Sequence, residues 1–252
     1  MIKSWKLAEW LYPLFEKLIF IRTMCQKLVI PSRVSENVVG VVFSGFPALG
    51  KGTQAGLLSQ VYDCHHLSTG ELIRQKCQED ENFKVKYQPK ILTGTMLPDD
   101  VTLSLVQEKI PFIVGDRRQI TILDGLPRNR RQCGMLENVF SHPNHLICFD
   151  FFVPDARLAI ERAITNRKRE DDELAALSRR CGDWQDSRPV VMRKMRAQGI
   201  NVVSVDACMS IEETHGFIQE NLVRHLTLLR RTTVLRSVKH RKNYVAKRTA
   251  VN

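Results

Sequence analysis

A chain of 252 residues, 43% hydrophobic and 26% charged, has the composition of a soluble globular protein and the length for one large domain or two small ones. Its formal net charge of +11 is concentrated at one end: residues 224–252 carry nine Lys and Arg and no acid, so the excess describes a tail rather than a core. Seven scattered cysteines without Cys-x-x-Cys spacing argue against a zinc ribbon and for reduced thiols, and no apolar run reaches the ~18 residues of a spanning helix.

Residues 1–36 read as a separate extension. Leu7, Leu11, Leu14, Leu18 and Ile21 recur at helical spacing among basic residues, with Pro13 breaking the run or opening its second half. Such a helix either docks on the core or lies on a membrane surface. The presequence reading is weakened by few serines and by Glu9 and Glu16.

From Asn37 the pattern changes. "NVVGVVFSG" (37–45) is a β-branched run ending in glycine and predicts a buried parallel strand. Further short strands are expected at 119–125, 146–152 and 201–206, with helices near 99–109, 130–140, 155–166, 172–198 and 211–229. This alternation predicts an α/β fold, a parallel sheet covered by helices on both faces. Sites in such sheets lie beyond the carboxyl ends of the strands, so Gly45 and Asp124 are expected to share one crevice. The last stretch, 230–252, reads as a basic tail, solvated or in contact with phosphate-rich surfaces.

The loop "GFPALGKGTQ" follows the first strand and opens a helical run. A tight glycine turn there gathers backbone N–H groups around one point, the helix dipole adds partial positive charge, and Lys51 adds a full charge. The alternative is an ordinary strand–helix turn with a surface lysine.

This loop resembles the G-x-P-G-x-G-K-G-T-Q loop of adenylate kinases and their nucleoside monophosphate kinase relatives. Four more stretches follow in the family's order. "HLSTGELIR" (66–74) is similar to the family's L-S-T-G-D-L-L-R, although "STGE" is also a plain helix start with Ser68 or Thr69 as cap. "GTMLPDDVT" (94–102) is similar to a segment that lines the adenine pocket. "ILDGLPRNRRQ" (122–132) resembles L-D-G-F-P-R-x-x-x-Q, with Leu126 for phenylalanine. "RKREDDELAALSRR" (167–180) carries an R-x-D-D and a second arginine eleven positions beyond the first.

The resemblance implies a P-loop fold of the nucleoside monophosphate kinase type over 37–229, with an acceptor-binding insert at about 67–98 and a very short lid at about 163–169. It implies that Gly45, Gly50, Lys51, Gly52, Thr53 and Arg162 bind ATP, and that Thr69, Arg74, Leu97, Arg128 and Gln132 bind AMP. Lys51, Arg128, Arg169, Arg180 and Asp124 would carry catalysis, with Asp124 reaching magnesium through water. The expected reaction is transfer of the terminal phosphoryl group of Mg-ATP to AMP, giving two ADP. The expected cofactor is Mg2+, without zinc. The expected partners are ATP and AMP and no specific nucleic acid, with membrane or anionic-surface contact through the N-terminal helix and basic tail as a further expectation. The chain is expected to be a monomer and cytoplasmic, with mitochondrial or membrane-associated placement as the alternative.

Two other activities stay open. "DGLPRN" is shared with pyrimidine kinases, which keeps UMP or CMP as acceptor, whereas Thr69 and Gln132 favour AMP. A nucleotide-binding module with weak or no turnover would follow if Ala48, Leu49, Asn166 and the shortened lid removed catalysis. Ala48 is the sharpest departure, because a Cβ there is costly if the loop needs a positive φ.

Overall fold

Runs of Val, Ile and Phe with few charges suit strands buried on both faces. The computed structural model describes residues 39–114, 120–140, 145–167 and 173–229; the extensions 1–36 and 230–252 and residue Arg169 lie outside them. Five strands form the sheet: β1 (Val39–Gly45), β2 (Cys64–Ser68), β3 (Ile120–Asp124), β4 (Leu146–Phe152) and β5 (Asn201–Asp206). Their spatial order is β2-β3-β1-β4-β5, with every pairing parallel. The helices are α1 (Lys51–Val61), α2 (Thr69–Glu79), α3 (Glu81–Leu92), α4 (Asp99–Val114), α5 (Arg130–Val139), α6 (Ala156–Arg162), α7 (Leu174–Ala197) and α8 (211–229). A π-helical turn, Ala163–Arg167, continues α6.

Adjacent residues of a strand face opposite sides of the sheet. Val41, Val42 and Phe43 are all fully buried, so both faces of β1 are covered. Phe43 meets Phe149 and Phe151 of β4 edge-to-face, with ring centroids 5.8 and 5.3 Å away. The expected parallel sheet is therefore present, and the strands at 146–152 and 201–206 have the expected bounds.

Two expectations need correction. The stretch before "STGE" is an additional strand, β2, which pairs with β3 from Cys64↔Ile120 to Ser68↔Asp124. Its period is hidden in the sequence by two histidines and a serine, and sheet pairing overrides their modest strand preference. Ser68 does occupy the cap position of α2, but its side chain makes no capping bond. Thr69 instead donates its Oγ1 hydrogen to the Asp124 carbonyl at 3.3 Å, joining the start of α2 to the end of β3.

Helix starts elsewhere follow local chemistry. Asp80, Asn129 and Asp155 cap α3, α5 and α6 through side-chain oxygens. Ser210 and Glu213 form a reciprocal capping box at α8: the Ser210 N–H donates to Glu213 Oε2, and the Glu213 N–H to Ser210 Oγ. The backbone and side-chain bonds from Ser210 also hold the Glu213 carboxyl below its usual range.

α7 is tied to three parts of the molecule. Arg188 donates to the fully buried Asp150 of β4 from Nε and Nη2, the latter at 2.7 Å. Ser187 Oγ donates to the Arg128 carbonyl at 2.9 Å. At its start, Ala176 packs so closely on Gly94 that a Cβ at 94 would lie 2.4 Å from the Ala176 carbonyl oxygen.

His225 of α8 is 6% exposed, and its Nε2 has no hydrogen-bond partner among the described residues. Burial, reinforced by His145, pushes its pKa down to about 4. As pH falls through the ordinary histidine range, the unfolded chain therefore takes up a proton before the folded one. Stability is full above pH ~6.5 and falls as pH drops toward ~4, by on the order of 3 kcal/mol at most. Urea unfolding at pH 7 and pH 4.5 should show this loss, and His225→Leu should shrink the difference between the two pH values.

Candidate functional site

β1 lies between β3 and β4, and the chain leaves β1 toward one side of the sheet before returning across it to the other. The connections diverge there and open a crevice beyond the strand ends. Gly45 ends β1 and Asp124 ends β3 beside it, with Phe43↔Asp124 in register. Both residues line a cavity of about 610 Å3, a volume suited to small-molecule ligands.

Two glycines of the loop have a geometric reason. At Gly45 (φ 141°) a Cβ would lie 2.3 Å from the Phe151 carbonyl oxygen of β4. Gly50 sits in the left-handed region (φ 79°) as the cap of α1 and offers no side-chain oxygen to the first turn. No acidic residue lies in that turn either. The positive end of the helix dipole and its backbone donors are thus left to face an anion. Lys51 Nζ arches over the loop and donates to the carbonyls of Gly45 (3.2 Å) and Phe46 (2.5 Å).

Ala48 has φ 60°, the left-handed conformation that disfavours a Cβ by about 1–2 kcal/mol. The departure from glycine is therefore a real strain in the loop. Leu49, the other bulky departure, has a different fate. It is 4% exposed and belongs to the hydrophobic core, so it anchors the loop from beneath instead of crowding the cavity.

Five cationic residues from five separate places line the same cavity: Lys51 at α1, Arg74 on α2, Arg128 after β3, Arg162 on α6 and Arg180 on α7. Against them stand Glu71, Asp124 and Asp183. The balance favours a polyanionic ligand. Gly70 leaves room for Arg74, since a Cβ at 70 would lie 3.3 Å from Arg74 Nη1. Arg162 donates from Nη1 to the Ala207 carbonyl beyond β5. Arg128 donates from Nε to the Gly125 carbonyl at 3.0 Å, across a cis Leu126–Pro127 peptide.

The residues expected at the acceptor divide into two groups. Arg74, Leu97 and Arg128 line the cavity. Thr69 and Gln132 are not among its lining residues; they are 4% exposed and engaged within the fold. Gln132 Oε1 accepts from the Arg128 N–H, and its Nε2 donates to Asp99 Oδ1. Gly52 and Thr53 line the cavity beside Asp124, whose Oδ2 lies 3.9 Å from where a Cβ on Gly52 would stand. A carboxylate facing the phosphate loop across such a gap fits a hydrated magnesium ion held through water. Among the described residues no cluster of His, Cys, Asp or Glu forms a metal-binding group.

Residue-by-residue reading overlooked His66, Trp184 and Asp99. His66 lines the cavity with Nε2 4.0 Å from Asp124 Oδ2. Trp184 follows Arg180 by one helical turn and lines the same cavity. Asp99 braces Gln132; the signal for it was the aspartate in "GTMLPDD", which also serves as an ordinary helix start.

A glycine loop at a topological switch point, facing converging arginines, defines a nucleotide-phosphate-binding α/β protein. Comparison with known proteins narrows the class. Residues 43–200 match the family model described as adenylate kinase. An adenylate kinase of Prochlorococcus marinus is 29% identical over 184 residues, 72% of this chain and 97% of its own length. Adenylate kinase 1 of Synechocystis sp. is 28% identical over 176 residues, covering 69% and 91% of the two chains. A UMP-CMP kinase of Lentinula edodes is 26% identical over 194 residues, covering 71% and 84%. The chain belongs to the adenylate kinase family.

Removing the Ala48 Cβ should relieve the strained turn. Ala48→Gly is expected to stabilise the protein by about 1 kcal/mol, read as a rise in Tm of roughly 2–4 °C. An Ala48→Val substitution at the same φ should lower Tm instead.

Proposed function

We propose that the chain is a phosphotransferase that moves the terminal phosphoryl group of Mg-ATP to AMP and forms two ADP. The observation that carries this reading is the convergence of Lys51, Arg74, Arg128, Arg162 and Arg180 on one cavity at the mouth of the glycine loop. Phosphoryl transfer between two nucleotides brings together two polyanions. Its cost is mainly electrostatic repulsion and positioning, and both are met by fixed cations.

In this reading Gly45, Gly50, Lys51, Gly52 and Thr53 hold the ATP phosphates, and Arg162 holds the donor from the α6 side. Arg74 and Arg128 hold the AMP phosphate, and Leu97 forms an apolar wall for its base, with Thr69 and Gln132 behind. Lys51, Arg128 and Arg180, with Arg169, stabilise the group in flight. The acceptor oxygen belongs to a phosphate already ionised near pH 7, so no side chain has to remove a proton. Magnesium, when bound through phosphates and waters that Asp124 orients, neutralises charge on the phosphate oxygens.

A coupled assay of ATP with AMP, UMP, CMP and GMP, each with and without magnesium, tests the reading. AMP with magnesium is expected to give the highest kcat/KM. A pyrimidine acceptor in first place would assign the chain to the other relative's type, and nucleotide binding without product would make it a binding module. Lys51→Ala and Arg128→Ala should each lower kcat by at least roughly 10²-fold. Near-normal turnover in both would remove the assignment.

The two extensions complete the proposal. Residues 1–36 are read as a helix that docks on the core and 230–252 as a solvated basic tail, with contact to anionic surfaces as the alternative for both, on an otherwise monomeric, cytoplasmic enzyme. Among the described residues no helix is long and apolar enough to cross a membrane. Deleting 230–252 should leave kcat unchanged, and a loss of sedimentation with vesicles containing phosphatidylserine would establish the alternative.

A further inference from the structure

Three carboxylates line the cavity among its cations, and two of them have a reason to be there. Asp124 ends β3 facing the glycine loop, where a hydrated magnesium ion fits. Glu71 lies in the first turn of α2, where the positive end of the helix dipole favours an acid. Asp183 has neither reason. It stands in the middle of α7, where the dipole gives no help and aspartate is a poor helix former. It is exposed, and its carboxylate makes no hydrogen bond or ion pair with any described residue. Arg179, one helical turn earlier and the natural ion-pair partner, donates instead from Nη1 to Thr95 Oγ1 at 2.9 Å. An acid in a cavity for polyanions opposes phosphate binding, so Asp183 has to serve another part of the ligand.

The course of α7 indicates which part. Ala176, near its start, packs on Gly94, and Ser187 holds the Arg128 carbonyl. At a rise of ~1.5 Å per residue, Asp183 lies roughly 6 Å along the axis from Ser187 and roughly 10 Å from Ala176. In the proposed reading Arg128 takes the acceptor phosphate, and the turn from Gly94 leads to Leu97, the wall for the base. A mononucleotide stretched between those places turns its sugar toward the intervening face of α7. There Arg180, Asp183 and Trp184 line the cavity. A ribose offers hydroxyl donors, and an ionised carboxylate offers only acceptors. Resting on the proposed reading, we infer that Asp183 is a specificity-determining residue: it accepts from the 2′-hydroxyl of the acceptor ribose and selects ribonucleotides over 2′-deoxyribonucleotides. A ligand without that hydroxyl leaves the carboxylate desolvated and unmatched, which is how a polar site rejects an analogue lacking one donor.

The test compares AMP and 2′-deoxy-AMP as acceptors, since the ratio of their kcat/KM values is unaffected by the fraction of enzyme folded. Wild type should prefer AMP by about tenfold, the effect of one hydrogen bond to a charged group. Asp183→Ala should bring the ratio close to one. Asp183→Asn, which keeps an acceptor oxygen without the charge, should fall between them. Asp186→Ala removes an exposed acid that does not line the cavity and should leave the ratio at its wild-type value. With ATP and 2′-deoxy-ATP as donors, none of these variants should change the preference. A wild-type ratio near one, a ratio unmoved by Asp183→Ala, or a change confined to the donor overturns the role given to Asp183. Equilibrium titration with the two monophosphates separates this from the phosphotransferase reading. Binding with the expected ratio but no ADP formed ends that reading and keeps the role of Asp183; turnover without discrimination does the reverse.

Discussion

The parallel pairing of β1 with β3 on one side and β4 on the other is the constraint on which the rest depends. It brings the end of a buried strand, the glycine loop and the Asp124 carboxylate to a single edge of the sheet. The pairing is close enough at Gly45 that only hydrogen fits between the loop and the Phe151 carbonyl. The Phe43, Phe149 and Phe151 rings lie just below that edge, so the loop stands on a dry and closely packed floor. Leu49 is driven into the same core, which explains how the loop keeps its shape with a strained residue immediately before it.

On this base the protein assembles like charges that repel. Lys51, Arg74, Arg128, Arg162 and Arg180 come from positions far apart in the chain, and the described contacts show how several are restrained. Backbone carbonyls receive Lys51, Arg128 and Arg162. The Arg128 backbone is held at both ends, its N–H by Gln132 and its carbonyl by Ser187. Such restraint lowers the reorganisation required when a polyanion arrives, which is the form electrostatic preorganisation takes here.

Much of this was legible in the residues. β-branched and aromatic runs located β1, β3 and β4, which are buried on both faces, and the β-branched run of β5 located an edge strand that is only partly buried. The glycine loop and the "DG" after β3 marked strand ends, and the order of the five motifs pointed to one crevice. What was hidden depended on partners distant in sequence. β2 is made of residues that owe their extended form to pairing with β3, not to their own preference. The engagement of Gln132 by Asp99 joins positions 33 residues apart, and no local pattern announces it. The conformation of Ala48 was foreseeable as a question, since a glycine is usual there, but its φ is a property of the folded loop.

α7 has a consequence beyond carrying Arg180. It rests on Gly94 near its start, is bonded to the Arg128 carbonyl through Ser187, and is pinned to Asp150 of β4 through the adjacent Arg188. A rod braced at those places is short of independent motions. A shift along its axis must be felt together by the turn at Gly94, by the Arg128 backbone after β3 and by the central sheet. The turn at Gly94, the segment after β3 and the buried strand β4 thus share one rigid support.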